Sequence, residues 1–344
     1  MSRQIRKTSN ELLLTSERIG LGIAQRNLRI YSSSISALER SIGKLLGEYE
    51  VDGGIAPSIL RSTLSNNEQR ELETYLLSRV SGFGLKPDME RIRGHVAQLT
   101  RLDAIREQAY IEAMRIAPSS ADLVESGLST IARNTYNSKA QVIADVGNIT
   151  GTFTRLDTQG VKVVLSTQWE GGNFSTRIWK NTDKLSSQLS EILGEQIITG
   201  QPLDTTVRNI RERYDVSRYE AMRLVRTETN YIHNQADLAV KKDFGITRYQ
   251  FDAVMDGKTS DECNKLHGQV FLVKDAVVGI NYPCMHPNCR STTFDLLDGE
   301  EEYIRERPVL QEKIYDSQQM REDFQNGSDI EPINRLSEQL SLFT

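Results

Sequence analysis

The feature that most constrains the fold is a repeat of large apolar residues close to the N-terminus. Between positions 28 and 49 these residues recur at alternating spacings of three and four, which is the heptad spacing of packed helices. The repeat consists of Leu28, Tyr31, Ile35, Leu38, Ile42, Leu45 and Tyr49. It predicts one long helix over the first 50 residues, as part of a helical hairpin or a coiled coil. The apolar face then packs either inside its own chain or against a second copy.

The sequence that follows is also predicted to be helical as far as position 150. Asp52-Gly-Gly-Ile-Ala-Pro ends the first helix, since glycine and proline break helices. Helical segments are predicted over 66–82 and 87–115, and a third over 120–147 after a start near Pro118. Residues 1–150 are therefore interpreted as a long helical region.

Short strands and turns are predicted after position 150. Val161-Lys-Val-Val-Leu165 has the β-branched composition of a short strand. The two tryptophans, Trp169 and Trp179, stand on either side of paired glycines, a pattern that indicates a turn between buried anchors. We expect both tryptophans to pack in the core rather than to bind a ligand.

A helix is predicted directly before the cysteines of the chain. Ser217 and Glu220 have the spacing of a capping box, in which a hydroxyl and a carboxylate three residues apart satisfy the first N–H groups of a helix. This helix is predicted to run to Phe244, where Gly245 provides the stop.

Three strand candidates follow that helix and complete the predicted fold. Apolar and polar residues alternate over 249–253, which predicts a half-buried strand, and 269–273 and 292–297 are two further candidates. The predicted fold class is α+β, mostly α, in which residues 151–297 form a compact α+β domain. Residues 298–344 are expected to form a charged C-terminal helix or tail.

The composition favours a chain without a membrane span and with reduced cysteines. No run of about 18 apolar residues is present, and no apolar stretch follows the charged N-terminus as in a signal peptide. The net charge of −5 is mild and does not indicate a general nucleic-acid coat. All three cysteines cluster between positions 263 and 289, so a metal site is a better interpretation than a disulfide framework.

Two Cys/His pairs in this cluster have spacings that suit a zinc ion. Cys263 and His267 are four residues apart on a predicted short helix, which places both side chains on one face. His286 and Cys289 are three apart across a Pro-Asn turn. Thiolate and imidazole are the usual zinc ligands, and four protein ligands make a closed, structural site. We therefore predict a structural zinc bound by these four residues, which staples the small β region together.

Other assignments of the cluster stay open at this point. Cys284 is chemically suitable as the fourth ligand in place of His267, and Asp256 could donate an oxygen, although capping its own turn is the plainer role. The thiols and imidazoles could instead be hydrogen-bonded around one turn without a metal. A catalytic site is disfavoured, because neither an open coordination position nor a general base can be identified from the sequence.

Several spaced motifs between residues 165 and 297 occur in the same order as in one known family. They include Arg223-Leu-Val-Arg-Thr-Glu228, Tyr249-x-Phe251, Asp256-x-x-Thr-Ser-x-x-Cys263-x-x-Leu-x-Gly268-x-Val-Phe271, Gly279-x-Asn-x-Pro283 and His286-Pro-x-Cys289-Arg290-Ser. With them the chain resembles the head morphogenesis proteins of tailed phages, the Mu F-like and SPP1-type minor head proteins. The family pattern has a second proline where this chain has Cys284. Cys284 is therefore not a general ligand of the family and is a weaker candidate for the fourth ligand here. An acidic residue often stands at the position of His267, and either residue type can bind a metal.

The resemblance implies a structural protein of the phage head and not an enzyme. Such proteins associate with the portal protein during procapsid assembly and are linked to DNA packaging or ejection. We therefore expect this chain in the virion, near the portal, after assembly in the host cytoplasm. Expected partners are the portal protein, capsid or scaffolding proteins and phage DNA, with self-association through the N-terminal helices and no membrane. By resemblance, Cys263, His286 and Cys289 carry the shared motif.

Two other functions compete with this interpretation. A metal-dependent nuclease or processing enzyme of phage assembly would use the same cluster for catalysis. A free-standing DNA-binding protein would use the locally basic stretch 204–226, whose six arginines are partly offset by acidic residues. Arg223 and Arg226, on the same predicted helix as Glu228, could contact DNA or the portal, but an intramolecular ion pair or hydrogen bond that braces the cysteine region is the simpler interpretation.

Overall fold

The chain is mostly α-helical, with one three-stranded antiparallel sheet at the end of its described part. A computed structural model describes residues 2–51, 54–55, 57–82, 86–146, 154–169, 171–199 and 203–296. The helices are α1 (Ser2–Tyr49), α2 (Pro57–Leu60), α3 (Asn66–Gly82), α4 (Met89–Val96), α5 (Arg101–Met114), α6 (Ile116–Val146), α7 (Thr158–Ser166), α8 (Phe174–Ile198), α9 (Leu203–Asp243) and α10 (Asp261–Leu266). The strands are β1 (Glu50–Val51), β2 (Gly54–Ile55), β3 (Arg248–Asp252), β4 (Val270–Leu272) and β5 (Thr292–Leu296). The predicted fold class, α+β and mostly α, is confirmed.

Helix α1 is a single helix that packs inside the fold along its apolar face. It contacts α5, α6, α9 and β5. The members of the predicted repeat that are buried, or packed against the core, are Leu28, Tyr31, Ile35, Leu38, Ile42 and Tyr49. Burial of side chains of this size stabilises a fold by about 1.5–3 kcal/mol each. The prediction of one long N-terminal helix is confirmed, and its described apolar face is satisfied within the chain; the side chain of Leu45 lies outside the described residues.

The single helix predicted over 87–115 is wrong, because the chain turns at residues 97–100 and forms α4 and α5 instead. Thr100 starts α5 with a capping box. Its Oγ1 accepts a hydrogen bond from the backbone N–H of Asp103 at 3.2 Å, and the Asp103 carboxylate accepts one from the N–H of Thr100 at 3.2 Å. Local capping by this Thr-x-x-Asp sequence therefore overrides the continuous helical pattern.

The strand predicted at 161–165 is also wrong, because these residues form α7. The Asp157 carboxylate caps the helix by accepting a hydrogen bond from the N–H of Gly160 at 2.7 Å. Val161 and Val164 are buried together with Leu165, and the intervening Val163 is 57% exposed. Burial at i, i+3 and i+4 is helical, so packing of this stripe outweighs the strand preference of the valines.

Helix α9 runs without a break over 41 residues, so the helix start predicted at Ser217 is wrong. Ser217 is buried in the middle of the helix. One buried stripe continues through the predicted cap position: Ile210, Tyr214, Ala221 and Val225. Packing of this stripe against neighbouring helices stabilises both halves as one element. The predicted stop is confirmed, since Gly245 adopts a φ of 65° and the next N–H returns to the carbonyl of Lys241 at 2.8 Å.

The two tryptophans have different environments. Trp169 is buried, and its ring stacks on Tyr231 with the ring centroids 6.2 Å apart. Its backbone pairs with Gly172 across the predicted turn, and its carbonyl accepts a hydrogen bond from Arg177. Trp179 is 40% exposed on α8, so the expectation that it packs in the core is wrong.

The strands β3, β4 and β5 form an antiparallel sheet in the order β4-β3-β5. Tyr249 of β3 stands opposite Phe271 of β4 and Asp295 of β5. All three strand predictions are confirmed, but β3 is buried from Tyr249 to Asp252 rather than half-buried. The buried polar side chain of Gln250 donates a hydrogen bond from Nε2 to the carbonyl of Gly268 at 2.8 Å.

The main hydrophobic core runs from the N-terminal helices into the sheet. One cluster of buried residues joins Ile23 of α1 and Leu128 of α6 to Val225 of α9 and Phe251 of β3. The core therefore continues across position 150, where the sequence suggested a boundary between two regions. The boundaries at 150 and 297 stay predictions, and residues 298–344 lie outside the described residues.

Four charged side chains, which we call the buried ion cluster, meet between α6, α9 and β5. Lys139 and Lys241 each pair with both Asp237 and Asp295, and their Nζ atoms lie 3.1 and 2.8 Å from the Asp295 carboxylate. The hydroxyl of Tyr282 donates a further hydrogen bond to Asp237 at 2.9 Å. Burial raises the pKa of Asp295, but the two lysines lower it by more, so the carboxyl stays ionised. Two lysines and two aspartates cancel in charge, which is what allows them to leave water together.

His233 is buried beside this cluster and joins three helices. Its Nδ1 lies 3.0 Å from the hydroxyls of Ser16 in α1 and Thr135 in α6. Burial, and then the positive charges of Lys139 and Lys241, lower the pKa of His233 to about 3. The imidazole is therefore neutral in the folded protein at pH 7, whereas in the unfolded chain it gains a proton near pH 6.5.

Acidification is expected to destabilise the protein through His233. Because the pKa is depressed by folding, the stability is fully present above about pH 6.5 and is lost as the pH falls towards 3. Between pH 7 and 5 this residue should remove about 2 kcal/mol from the free energy of unfolding. Urea denaturation at several pH values measures the free energy of unfolding. In His233→Gln, whose side chain does not titrate, the decrease in this free energy between pH 7 and 5 should be smaller by about 2 kcal/mol. Equal slopes in the two proteins would contradict the assignment.

Candidate metal centre

The first part of the candidate centre is built by the short helix α10. Ser260 is the N-cap residue of this helix, and its Oγ accepts a hydrogen bond from the backbone N–H of Cys263 at 3.2 Å. The cap and the third residue of a helix lie next to each other, since the capping bond joins them directly. Cys263 is consequently buried on the inner side of α10, beside the Ser260 hydroxyl.

The second part is a tight turn before β5. The N–H of Cys289 donates to the carbonyl of His286 at 3.0 Å, and Asn288 between them adopts a left-handed φ of 61°. Asparagine tolerates this conformation better than most residues other than glycine. The N–H of Asn288 also donates to Thr227 Oγ1 of α9 at 3.0 Å, which anchors the turn to the long helix. The turn thereby converges the side chains of His286 and Cys289, as their spacing predicted.

The structure brings Cys263, His286 and Cys289 together at distances that suit one metal ion. Their ligand atoms all lie within 4.8 Å of one another. Cys263 Sγ is 3.3 Å from His286 Nε2 and 4.0 Å from Cys289 Sγ. In a tetrahedral zinc site, the usual metal–ligand distances place sulfur and nitrogen about 3.5 Å apart and two sulfurs about 3.8 Å apart. The three donors are therefore close enough together to bind one metal ion.

The hydrogen bond on the far side of the His286 ring favours metal binding. His286 Nδ1 lies 2.9 Å from the carbonyl of Pro287, an acceptor, so Nδ1 carries the proton. The other ring nitrogen, Nε2, is then unprotonated, and its lone pair faces Cys263. A carbonyl that fixes the tautomer in this way is the usual outer partner of a metal-binding histidine.

The two thiols of the group hold their protons in the absence of a metal. Hydrogen bonding with Cys289, and then burial, raises the pKa of the Cys263 thiol. For Cys289 the hydrogen bond with Cys263 lowers the pKa, but hydrogen bonding with Cys284 and burial raise it by more. Metal binding at this group would therefore release protons, because thiolate is the form that binds.

The structure does not bring His267, the predicted fourth ligand, into this group. His267 follows the last residue of α10, and its Nδ1 accepts a hydrogen bond from the backbone N–H of Ala253 at 3.2 Å. The same atom lies 3.6 Å from the Asp252 carboxylate. The short helix ends one residue before His267, so the common face expected from a spacing of four is not formed. Its role as a ligand stays a prediction.

The two substitutes considered for the fourth position are also engaged elsewhere. Asp256 receives two hydrogen bonds of 2.6 Å from the Arg290 guanidinium and caps its own turn through the N–H of Lys258 at 2.9 Å. Its pKa is lowered to about 2, chiefly by Arg290. Cys284 is fully buried, and its thiol donates to the carbonyl of His286 at 3.3 Å.

The long helix α9 braces the centre through Thr227, as the Arg-Thr-Glu motif suggested, but with different partners. Thr227 Oγ1 donates to the carbonyl of Arg223 at 2.7 Å while it accepts from the turn. Glu228 pairs with Arg177 of α8, and burial raises its pKa despite that charge. The motif therefore ties α8, α9 and the turn together. Glu228 forms its ion pair with Arg177, a partner the sequence did not indicate.

Comparison with known protein families finds a match over part of the chain. Residues 187–294 match the Phage Mu protein F like protein family. The resemblance inferred from the spaced motifs is confirmed over this stretch, which we call the F-like segment and which contains Cys263, His286 and Cys289. It covers the second half of α8, then α9, β3, α10, β4 and most of β5.

The chain is also similar in sequence to part of one bacterial protein. An uncharacterized protein of Haemophilus influenzae is 23% identical over 104 residues, which are 30% of this chain and 23% of that protein. The match thus spans less than a quarter of the relative's length. No solved structure was found to match the chain. None of the helices described is both long and apolar enough to cross a membrane.

Proposed function

We propose that this protein is a structural component of a tailed-phage head, with a metal-bound clasp in its F-like segment. The observation that carries the proposal is the coincidence of two findings. The F-like segment matches the Phage Mu protein F like family, which suggests head morphogenesis, and Cys263, His286 and Cys289 converge inside that segment. A clasp that joins α10 to the turn before β5 gives the segment a fixed shape for assembly.

We infer that the metal of the clasp is zinc. Soft thiolates with an imidazole favour zinc over magnesium or calcium, which take oxygen ligands. The ion would supply folding free energy, since ligands far apart in the chain are brought together by it. Cys263 is 26 residues from Cys289, and this loop includes β4 and the turn anchored on Thr227.

The partners proposed for this protein are the portal protein and, beside it, capsid or scaffolding proteins, in the virion near the portal. Exposed large apolar residues on two packed helices support docking to another protein. Trp179 on α8 is 40% exposed, and Val216 and Tyr219 on α9 are 46% and 47% exposed. Self-association of α1 would have to use surfaces other than its apolar face, because that face is covered by its own chain.

A contact with phage DNA, during packaging or ejection, would depend on the arginines of α9. Arg211 pairs with Glu39 at 2.5 Å and Arg218 with Asp215 at 3.1 Å, and Arg226 is also engaged within the chain. Arg208 and Arg223 are exposed and remain the best candidates for phosphate contacts. Binding of this kind weakens steeply as the salt concentration rises.

Reconstituted assembly tests the proposed function. The full chain is co-expressed with the portal and major capsid proteins of its phage, and the assembled particles are purified and analysed by mass spectrometry. We expect the chain in the particles and a several-fold lower content for Tyr219→Asp, since a charge disrupts an apolar contact. Val163→Asp is the matched control, because Val163 is as exposed on a different helix. Particles that assemble without the intact chain would overturn the proposal.

A metal-dependent nuclease is the alternative function, and one observation favours it. Among the cysteine, histidine and acidic side chains of the described residues, only three converge, and catalytic zinc sites have three ligands with an open fourth position. Incubation of the zinc-loaded chain with plasmid and linear DNA separates the two functions. Cleavage that disappears in a folded His286→Ala protein would favour the nuclease, and uncleaved DNA would favour the structural role.

A further inference from the structure

We propose that Ser260 supplies the fourth ligand of the clasp, so that the metal is held by two thiolates, one imidazole and one hydroxyl oxygen. The inference rests on the proposed zinc clasp and names the donor that completes it. Ser260 was not a candidate from the sequence, because serine at the start of a helix has an ordinary explanation as a cap.

The Ser260 hydroxyl lies between the ring of His286 and the backbone of Cys263. Its Oγ lies 2.8 Å from His286 Nε2, the ring nitrogen that faces the thiols. The same Oγ accepts the N–H of Cys263, so it is held on the inner side of the helix start. Ser260 thus touches two of the three converging ligand residues, and its position is fixed by the backbone of α10.

The tautomer of His286 leaves Nε2, the ring nitrogen beside Ser260, without a proton. Because Nδ1 donates to the carbonyl of Pro287, Nε2 can only accept. The groups around Nε2 are the Ser260 hydroxyl at 2.8 Å and the Cys263 thiol at 3.3 Å. A cation can bind between this unprotonated nitrogen, the hydroxyl and the thiol, because each of these atoms can donate an electron pair.

The other candidates for the fourth ligand form hydrogen bonds to other groups. His267 Nδ1 is bonded to the backbone of β3, Asp256 is bonded twice to Arg290, and Cys284 donates to the carbonyl of His286. Each of these would have to give up a hydrogen bond and turn away from its present partner. Ser260 needs only to exchange its hydrogen bond with His286 for a bond to the ion.

A hydroxyl ligand has a consequence for the strength of the clasp. Serine oxygen is neutral and a weaker zinc donor than thiolate, so the ion is balanced by two thiolate charges only. Replacing Ser260 by cysteine would place a third thiolate at the same position. Because changes in even the outer partners of metal ligands alter affinity by about 10–100-fold, a new thiolate should strengthen binding by at least about tenfold.

The experiment compares the full-length protein with Ser260→Cys, Cys284→Ser and His267→Ala. Each protein is loaded with cobalt(II), whose thiolate charge-transfer absorption reports the number of bound sulfurs, and zinc affinity is measured by competition with a chelator. We expect a two-thiolate spectrum for the unchanged protein, Cys284→Ser and His267→Ala. We expect a third thiolate and the tighter zinc binding for Ser260→Cys. Cysteine is a poorer helix cap than serine, so tighter binding cannot come from a better helix.

Three outcomes would overturn the inference. Loss of one thiolate signal in Cys284→Ser would assign the fourth position to that thiol. A large fall in zinc affinity in His267→Ala would assign it to the imidazole. An unchanged spectrum and affinity in Ser260→Cys would remove Ser260 from the site. Failure of the clasp itself is distinguishable, because then none of the four proteins would bind cobalt or zinc stoichiometrically, whatever the result of the particle assembly.

Discussion

Chelation of the clasp metal is expected to abolish the protection of backbone amides between about residues 256 and 290, while α1, α6 and α9 keep theirs. Structural zinc contributes an apparent free energy of about 10–16 kcal/mol in small zinc-binding peptides, an upper limit for the segment here. The segment contains the short helix α10, the three-residue strand β4 and the turn at His286–Cys289. Strand β3 should stay folded, because it is paired along its length with β5, which lies outside this segment, and Tyr249 and Phe251 are fully buried.

Hydrogen exchange with mass spectrometry measures this loss, with and without a chelator. Cys289→Ser should reproduce the effect of the chelator, since it removes one ligand. Cys284→Ser is the matched control, because it makes the same chemical change at a buried thiol outside the converging group. Equal protection in all four conditions would rule out a metal as the element that holds this segment.

Asp237→Ala is expected to lower the free energy of unfolding by about 3–5 kcal/mol, the cost of leaving a buried charge without its partner. Asp237 pairs with Lys139 and Lys241 and accepts hydrogen bonds from Tyr282 and Thr293 at 2.9 Å. Without it, two buried lysines would face the single carboxylate of Asp295. Lys139 is the more vulnerable, because burial already lowers its pKa well below the usual range.

Urea denaturation followed by circular dichroism measures this effect. Asp215→Ala is the matched control on the same helix, because the Asp215 side chain is 69% exposed and its pair with Arg218 is screened by water. Its cost should stay below about 1 kcal/mol. The double change Lys139→Met with Asp237→Leu should recover part of the lost stability, since it removes one charge of each sign. A loss for Asp237→Ala as small as for Asp215→Ala would contradict the importance of the buried ion cluster.

Much of the fold follows from local patterns in the sequence. The heptad repeat of α1 and the Gly245 stop of α9 are each determined within a few residues, and both predictions are confirmed. The misplaced start at Ser217 and the misplaced strand at 161–165 have a common cause. In both places a local signal competes with a stripe that packs against distant helices, and packing decides.

Of the candidate site, only the converging cysteine and histidine residues could be predicted from the sequence. Cysteine and histidine at short spacings identified Cys263, His286 and Cys289, which the structure brings together. The end of α10 one residue before His267 could not be read from a spacing of four. Ser260 was hidden by its ordinary role as a cap. The buried ion cluster joins residues near positions 139, 237 and 295, and no local pattern reports a contact across such distances.

The hydrogen bond between Ser16 and His233 has a consequence for how the chain is made. The two residues are 217 positions apart in the sequence. At a synthesis rate of about 5–20 residues per second, α1 leaves the ribosome roughly 10–40 s before the part of α9 that covers it. During that interval the apolar face of α1 has only part of its final cover. A nascent chain of this kind is a natural client for a chaperone, and slowing translation should increase its aggregation.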